Sequence, residues 1–312
     1  MSNLDFQSDV EKAMSKILLT WSEAKENDNE PPPIRSTFCI KLLETCEICN
    51  DLFESREEES KVAAFNWRRP LMFQFVRRLC DWSITKTPPF NFNVMPGYEN
   101  SLNHEVINNV LNMTPAVCAL KEIWQTCNNN NNNNNNLGST NIEMKQSTSN
   151  GPIQTDENNR NYDLQLFNQC KLLLGTLKER GILTVLGIAC TVGSVDRVPP
   201  CLHSLLVAFN TPNRPEHSSI LTVGARALAK HCHRTSDKYW GTAKGPELVR
   251  NNQANRFIYQ FLQDIVWINI HLLPHEIEVF EVRVREGYGA RWLCDGSKFR
   301  GFLEKYIEGG HH

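Results

Sequence analysis

The residues best suited to chemistry cluster in one helical segment, residues 220–234. The sequence ILTVGARALAKHCHR places Arg226, Lys230, His233 and Arg234 on one side of a helix, at spacings of three, four and seven to eight. The segment contains no acidic residue, so its cations repel one another and need compensation from outside. Negative charge could come from the glutamates of a nearby β-meander or from the acidic N-terminal part. It could also come from an anionic ligand such as a phosphate, a carboxylate or a nucleic-acid backbone.

The chain between residues 231 and 300 is also rich in Trp, Tyr, Arg, His and Asn. These types line polar binding pockets with aromatic walls, and they also form the wet rim of interaction surfaces. We predict a binding site for an anion, clamped by Arg291 and Arg234, in which His231 or His233 transfers a proton if there is a reaction. The predicted ligand-binding residues are Arg226, Lys230, His231, His233, Arg234, Trp267, His271, Arg283, Tyr288 and Arg291.

Two histidine pairs have spacings that invite a metal interpretation. His231 and His233 are two residues apart, so on a helix they point about 200° away from each other. His271 and His275 are separated by Pro274, which prevents a helical i, i+4 pair. We therefore predict no metal site, and the sequence identifies no cofactor.

Cys46 and Cys49 have the C-x₂-C spacing of a zinc half-site or a redox pair. A second C-x₂-C motif that would complete a zinc ribbon is absent from the sequence. The pair falls in an amphipathic helical stretch, so buried free thiols are the preferred interpretation.

Composition narrows the possible partners and the compartment. Lys and Arg number 33 against 35 Asp and Glu, and this balance lacks the strong positive charge of a general nucleic-acid binder. We predict an anionic small molecule or a protein as partner, with nucleic acid not favoured. The N-terminus lacks a basic, apolar leader, and the longest apolar stretch is too short to span a bilayer. The odd number of cysteines, 11, is more typical of reduced thiols than of a disulfide framework. Together these features favour an intracellular protein of the cytoplasm or nucleus without a membrane role.

An asparagine run divides the chain. Residues 128–160 predict a disordered Asn-rich linker between a helical region, 1–127, and an α+β domain, 161–312. The first region has 13 basic and 18 acidic residues and the second has 18 and 14, so their net charges of −5 and +4 favour docking. Periodicity predicts N-terminal helices over the residues 5–25, 35–63, 67–84 and 101–126.

Three strand-like runs in the last fifty residues predict a β-meander over about 276–303. They are separated by Glu286–Gly287 and Asp295–Gly296, which are typical hairpin turns. Residues 182–192 predict a further, buried strand. The predicted fold class is α+β, with a helical N-terminal part packed on a C-terminal part that contains helices and the antiparallel meander.

Several segments resemble an uncharacterised eukaryotic protein family of unknown function. They are LTVGARALAKHCHR, WINIHLLPHEIEVFEVRV, GYGARW, FRGFLE and the N-terminal stretch RRLCDWSITKTPPFNFNVMPGYENSLNHEV. The resemblance spans both parts of the chain and implies no activity, cofactor or catalytic residue.

Three functions stay open at this point, and whether the protein is an enzyme is undecided. The preferred hypothesis is an intracellular protein that binds an anionic ligand or partner at the cationic site. The alternative is a non-catalytic interaction or scaffold module whose apolar loop, 88–100, supplies a contact surface. A further alternative is an enzyme of unknown class that uses His231 and His233. A concave basic pocket would favour the first, and an exposed apolar patch the second.

Overall fold

A computed structural model describes residues 2–24, 31–54, 65, 67–89, 95, 97–98, 103–136, 155–234 and 238–306. Its elements confirm the α+β class. The helices are α1 (Asn3–Ser22), α2 (Ser36–Leu43), α3 (Glu47–Glu54), α4 (Leu71–Thr85), α5 (His104–Leu111), α6 (Thr114–Asn136), α7 (Thr155–Val185), α8 (Leu202–Asn210), α9 (Val223–Arg234) and α10 (Glu247–Gln263). The strands are β1 (Ile265–Leu273), β2 (Ile277–Val284), β3 (Gly289–Leu293) and β4 (Phe299–Leu303).

The N-terminal part is helical, as predicted, because its apolar residues recur at helical spacing. In α1, Ser2 and Asp5 form a capping box, and the buried face consists of Phe6, Val10, Met14, Ile17, Leu18 and Trp21. This face packs against α2, α4 and α7. The N-terminal helices thereby reach the helix that leads into the C-terminal part.

Some helix boundaries differ from the prediction. The predicted helix over 35–63 is interrupted after α2, because Glu44 has an extended ψ of 128°, and α3 then begins at Glu47. Helices α6 and α7 extend into the predicted linker at 128–136 and 155–160. Residues 137–154 lie outside the described part, so the linker and the domain boundaries stay predictions.

The strand predicted over 182–192 is wrong at its start, because α7, which is kinked at Lys178, continues in helical conformation to Val185. Ile182, Leu183 and Leu186 are all buried, and a short apolar run cannot distinguish a buried helix from a buried strand. The following residues, 186–198, lie along the edge of β1 in irregular conformation. Ala189 N–H donates to the Ile268 carbonyl at 2.8 Å, and Val195 N–H donates to the Ile270 carbonyl at 2.9 Å.

The C-terminal sheet has four antiparallel strands in the order β1-β2-β3-β4. The last three strands confirm the predicted meander. Its turns contain Gly287 and Gly296 with φ values of 91° and 77°, a left-handed conformation that glycine adopts readily. Strand β1 is an addition to the prediction, and it supplies Trp267, Asn269 and His271.

The two faces of the sheet are built differently. Phe280, Val282 and Ala290 belong to an apolar core that extends continuously from Phe6 to Phe302, and α8 and α9 pack on this side against β4. The opposite face carries polar and charged side chains, because successive residues of a strand alternate between faces. None of the helices in the described residues combines the length and the apolar character that a membrane span requires.

Candidate active site

The polar face of the sheet is centred on the carboxylate of Glu281, which is fully buried. Register places Asn269 on β1 opposite Glu281, Glu281 opposite Arg291 on β3, and Arg291 opposite Gly301 on β4. Directly opposed residues share a face. The sheet therefore lines these four positions up in one row across all its strands.

Four side chains donate hydrogen bonds to Glu281, and we call the five residues together the Glu281 cluster. Oε1 accepts from the Tyr98 hydroxyl at 2.9 Å and from Arg283 Nε at 2.7 Å. Oε2 lies 3.1 Å from His271 Nε2 and accepts from Arg291 Nε at 3.0 Å and Nη2 at 2.6 Å. The donors occupy the lone pairs that water would otherwise satisfy.

This arrangement keeps Glu281 ionised. Burial by itself would raise the pKa of Glu281, but the hydrogen bond from His271 and the charges of Arg283 and Arg291 outweigh burial and lower the pKa far below its usual value. One carboxylate then faces two guanidinium groups and an imidazole. The Glu281 cluster thus carries an excess of positive charge, and an anion would balance that excess.

Arg291 is the more exposed guanidinium group of the cluster, whereas His271 is buried. Their side chains are 20% and 11% exposed, whereas that of Glu281 is 0% exposed. A Cβ atom at Gly301 would meet nothing within 4 Å, so the position opposite Arg291 is open. Arg291 is therefore partly accessible from solvent, while Glu281 stays covered.

Further hydrogen bonds hold Asn269, the residue of β1 that lies opposite Glu281. The fully buried Asn269 accepts from Ser194 Oγ at 2.8 Å and donates to Thr191 Oγ1 at 2.8 Å. Both partners belong to the irregular segment that follows α7. On the other side, the rings of Tyr98 and Trp267 lie 4.7 Å apart, and they close the polar face near Arg283.

The remaining predicted residues lie elsewhere. Arg226, Lys230 and His231 of α9 border a cavity of about 290 Å³ beside β4, which they share with Asn213, Val223, Ala227, Phe299, Arg300, Gly301 and Phe302. The His231 ring contacts the ring of Phe302, whose side chain belongs to the apolar core. The cavity and the Glu281 cluster are therefore on opposite faces of the sheet.

The predicted residues near the cavity have partners of their own. His231 Nδ1 lies 2.5 Å from Glu304 Oε1, and Trp240 Nε1 donates to the same carboxylate at 3.1 Å. Tyr288 is buried and stacks on Tyr239 with 3.8 Å between ring centroids.

The structure does not bring all ten predicted residues into one site. Arg283 and Arg291 join His271 and Trp267 on the polar face, away from α9. His233 is exposed, and Arg234 ends the helix. Among the meander glutamates expected to compensate α9, Glu281 pairs with the arginines of its own face and Glu278 pairs with Arg197 at 3.0 Å.

Sequence reasoning missed Tyr98 and Asn269 as members of the site and treated Glu281 only as a neutralising charge. The alternation of Glu281 with Arg283 along β2 was a usable signal. The unpredicted strand β1 was also signalled, because residues 265–270 are rich in β-branched and aromatic types. No local pattern connects Tyr98 to a strand that follows it by more than 160 residues.

The apolar loop 88–100 is described only in part. Met95 is 3% exposed and packs with Trp267 and Ala189, and Tyr98 packs against the same group. Phe90 and Phe92 lie outside the described residues. The described portion of the loop covers the polar face and does not form an exposed patch.

The two histidines of the 271/275 pair lie in different environments. His271 is buried in the Glu281 cluster, whereas His275 is exposed in the turn after β1. Cys232 donates to the Trp240 carbonyl at 3.2 Å and Cys294 donates to Glu278 at 3.1 Å.

Comparison with known proteins identifies the C-terminal region. Residues 209–304 match the family described as the CdiA C-terminal tRNase toxin domain. A crystal structure of the toxic C-terminal tip of CdiA from Pseudomonas aeruginosa, in complex with an immune protein, is 27% identical in sequence. The alignment covers 31% of this chain and 98% of that chain, with a TM-score of 0.27. No curated protein matches the chain in sequence.

These findings correct three expectations. The resemblance to an uncharacterised eukaryotic family is wrong, because its C-terminal motifs fall inside the segment that matches the CdiA C-terminal tRNase toxin domain. The description as a ligand-binding protein of a eukaryotic cytoplasm or nucleus is contradicted by the same match, and the location of the protein itself stays a prediction. The expectation that nucleic acid is not a favoured partner is also wrong, because the matched family is named for action on tRNA. What the comparisons identify is thus a region similar to a tRNase toxin domain, which begins near the end of α8 and ends just after β4.

Proposed function

We propose that the C-terminal part of this chain is a ribonuclease domain that cleaves RNA of the tRNA class, with the Glu281 cluster as its active site. The observation that carries the proposal is the position of His271, Arg283 and Arg291 around a buried carboxylate inside the matched segment. The net charge of the whole chain did not indicate this, because the relevant positive charge is concentrated in one place.

The side chains of the cluster are suited to cleavage of an RNA phosphodiester bond by phosphoryl transfer to the 2′-oxygen. In RNA, the 2′-oxygen can attack the neighbouring phosphorus, so that the O2′–P bond forms while the P–O5′ bond breaks. Negative charge accumulates on the non-bridging oxygens in the transition state. Arg291 is the more exposed guanidinium and binds these oxygens, because a planar guanidinium matches phosphate geometry.

His271 is the group that moves a proton in this scheme. Glu281 accepts the hydrogen bond from Nε2–H, as a carboxylate does with the histidine of other acid–base sites. Nδ1 lies 3.3 Å from the Leu272 carbonyl oxygen, and in this scheme it accepts the proton of the 2′-hydroxyl once bound RNA replaces that contact. The resulting imidazolium donates that proton to the departing 5′-oxygen. The products are a 2′,3′-cyclic phosphate and a 5′-hydroxyl, and no net proton is consumed.

The test is cleavage of purified tRNA by the full chain, followed on denaturing gels. We expect His271→Ala to lower the rate by about 10²–10⁴-fold and Arg291→Ala to lower it by about 10²–10³-fold. New RNA fragments should accept a 5′-phosphate from a kinase without prior dephosphorylation, because their 5′ ends are hydroxyls.

Two exposed residues of the matched segment provide controls. His217→Ala removes a histidine whose side chain is 61% exposed, and Arg285→Ala removes an exposed arginine just after β2. Both variants should cleave tRNA at the parent rate. A parent chain that leaves tRNA intact, or equal rates in the His271 and His217 variants, would refute the proposal.

A further inference from the structure

Three cysteines outside the matched segment come together at the contact between α3 and α8. The Sγ atoms of Cys46, Cys49 and Cys201 all lie within 4.8 Å of one another. With Zn–S bonds of about 2.3 Å, tetrahedral geometry places two sulfur ligands about 3.8 Å apart. The three thiols are therefore close to the spacing that a single metal ion requires.

Cys201 adds a third thiol to the C-x₂-C pair of Cys46 and Cys49, which sequence spacing could not show. Cys46 immediately precedes α3, Cys49 lies in its first turn, and Cys201 is the N-cap residue of α8. The third thiol thus comes from a segment more than 150 residues away in the chain. A second C-x₂-C motif is not needed when the fold supplies the missing sulfur.

Arg69 holds the two cysteine-bearing segments together. Its backbone N–H donates to Asn50 Oδ1 at 2.9 Å, and Asn50 Nδ2 donates to the Arg69 carbonyl at 3.0 Å. Its guanidinium Nη2 donates to the carbonyl of Pro199, two residues before Cys201, at 2.5 Å. The backbone segments that carry the thiols are therefore held together by hydrogen bonds that do not involve the sulfurs, and Cys201 Sγ in addition accepts from Ser204 N–H at 3.5 Å.

The buried guanidinium of Arg69 lies in the field of the Glu44 carboxylate and of the three cysteine side chains. Arg69 is 4% exposed, and its Nη1 has no hydrogen-bond partner among the described residues. A buried guanidinium is stabilised by negative charge in its surroundings. Zn²⁺ with three thiolates carries a net charge of −1, which would neutralise Arg69.

We propose that Cys46, Cys49 and Cys201 bind a zinc ion through three thiolates, with the fourth position taken by water or an external ligand. Thiolates are soft ligands that select zinc over magnesium or calcium. Cys49 is buried, while Cys46 and Cys201 are half-buried, so an ion can enter from the solvent side. The site would connect the N-terminal helices to α8, which packs on the sheet.

The first test is metal analysis of the full chain purified under reducing conditions. We expect one bound zinc per chain. After replacement by Co²⁺, the parent chain should show the visible absorption of tetrahedral cobalt and a thiolate-to-cobalt charge-transfer band in the near ultraviolet. This spectrum needs no variant and reports the sulfur ligands directly.

Matched serine variants then locate the ligands. Cys49→Ser and Cys170→Ser both change a buried thiol, and Cys46→Ser and Cys118→Ser both change a half-buried one. We expect the Cys49 and Cys46 variants to lose zinc and the cobalt band, and the Cys170 and Cys118 variants to keep both. If Cys49→Ser fails to fold, the more exposed Cys46→Ser still decides the question.

Three results would overturn the proposal. One is a reduced parent chain that takes up neither zinc nor cobalt. Another is equal metal content in the Cys46 and Cys118 variants. The third is a disulfide between Cys49 and Cys201 in protein isolated with thiols blocked at lysis, because it would assign the cluster to redox chemistry.

Discussion

Glu281 shows how one residue sets the properties of the polar face. A carboxylate fully removed from water is stable only when donors replace its hydration, and here the Tyr98 hydroxyl, His271, Arg283 and Arg291 do so. The same contacts orient the two guanidinium groups and the imidazole. Changing this one carboxylate therefore affects both stability and the geometry of the proposed active site.

We expect Glu281→Gln to lower the free energy of unfolding by about 3–5 kcal/mol at neutral pH, because it leaves the buried guanidinium of Arg283 and the half-buried one of Arg291 without their counter-charge. The check is urea denaturation of the variant and the parent chain. Tyr98→Phe removes only a neutral hydroxyl donor and is the matched comparison, with an expected loss of about 1 kcal/mol. Equal losses in the two variants would contradict a buried ion-pair network.

The pKa of Glu281 also predicts a pH dependence. Because the folded-state pKa lies below the unfolded value of 4.5, the stabilisation by ionised Glu281 is complete above about pH 4.5. It is lost progressively as the pH falls from there through the folded-state pKa. The difference in unfolding free energy between the parent and Glu281→Gln should therefore be constant from pH 7 to 5 and should shrink below pH 4.5. A difference that grows on acidification would contradict the lowered pKa.

Among the elements, those with a clear hydrophobic period or turn signal were predictable. The meander followed from alternation in residues 280–285 and from two glycine-containing turns, and α1 and α4 followed from helical spacing. Strand 182–192 was predicted wrongly and β1 was missed, because both segments are nearly continuous apolar runs. Their structures depend on which surfaces cover them, and that information is not local.

The packing of α9 on α8 gives a prediction at this scale. A Cβ atom at Gly224 would lie 2.2 Å from the ring of Phe209, and this ring also packs against Phe299 and Phe302. We expect Gly224→Ala to destabilise the chain by about 1–3 kcal/mol, because the ring must move within a packed core. The urea midpoint should fall with an unchanged m-value.

Gly175→Ala is the control for this effect. Gly175 is also helical, but its Cβ atom would meet Pro33 at an ordinary 3.6 Å. Alanine has the higher helix propensity, so this variant should be unchanged or more stable by up to about 1 kcal/mol. Equal destabilisation of both variants would show that close packing at Phe209 is not the cause.

At the scale of the whole molecule, the candidate site depends on segments far apart in the chain. The matched segment, 209–304, supplies His271, Glu281, Arg283 and Arg291. Tyr98 comes from the N-terminal part, and Thr191 and Ser194 come from the segment after α7. Composition and periodicity indicated where polar residues are concentrated, but only the folded chain shows which of them meet.

The continuous core predicts how the chain unfolds. Helix α7 buries Cys170, Leu173 and Leu174 completely and packs against α1, α4, α5 and α6. Trp67 Nε1 donates to the Leu262 carbonyl at 3.2 Å, which adds a buried polar link between the two parts. We expect a single calorimetric transition for the full chain, whose calorimetric and van't Hoff enthalpies agree.

A fragment starting at residue 161 tests this expectation, because it removes the helices that cover α7. It should unfold at a lower temperature and bind the dye ANS, since the apolar face of α7 becomes exposed. It also lacks the Tyr98 hydroxyl, so tRNA cleavage by the fragment should be weaker than by the full chain. A fragment with the full chain's melting temperature would show instead that residues 161–312 are an autonomous domain. The division of the chain at the asparagine run would then be structural as well as compositional.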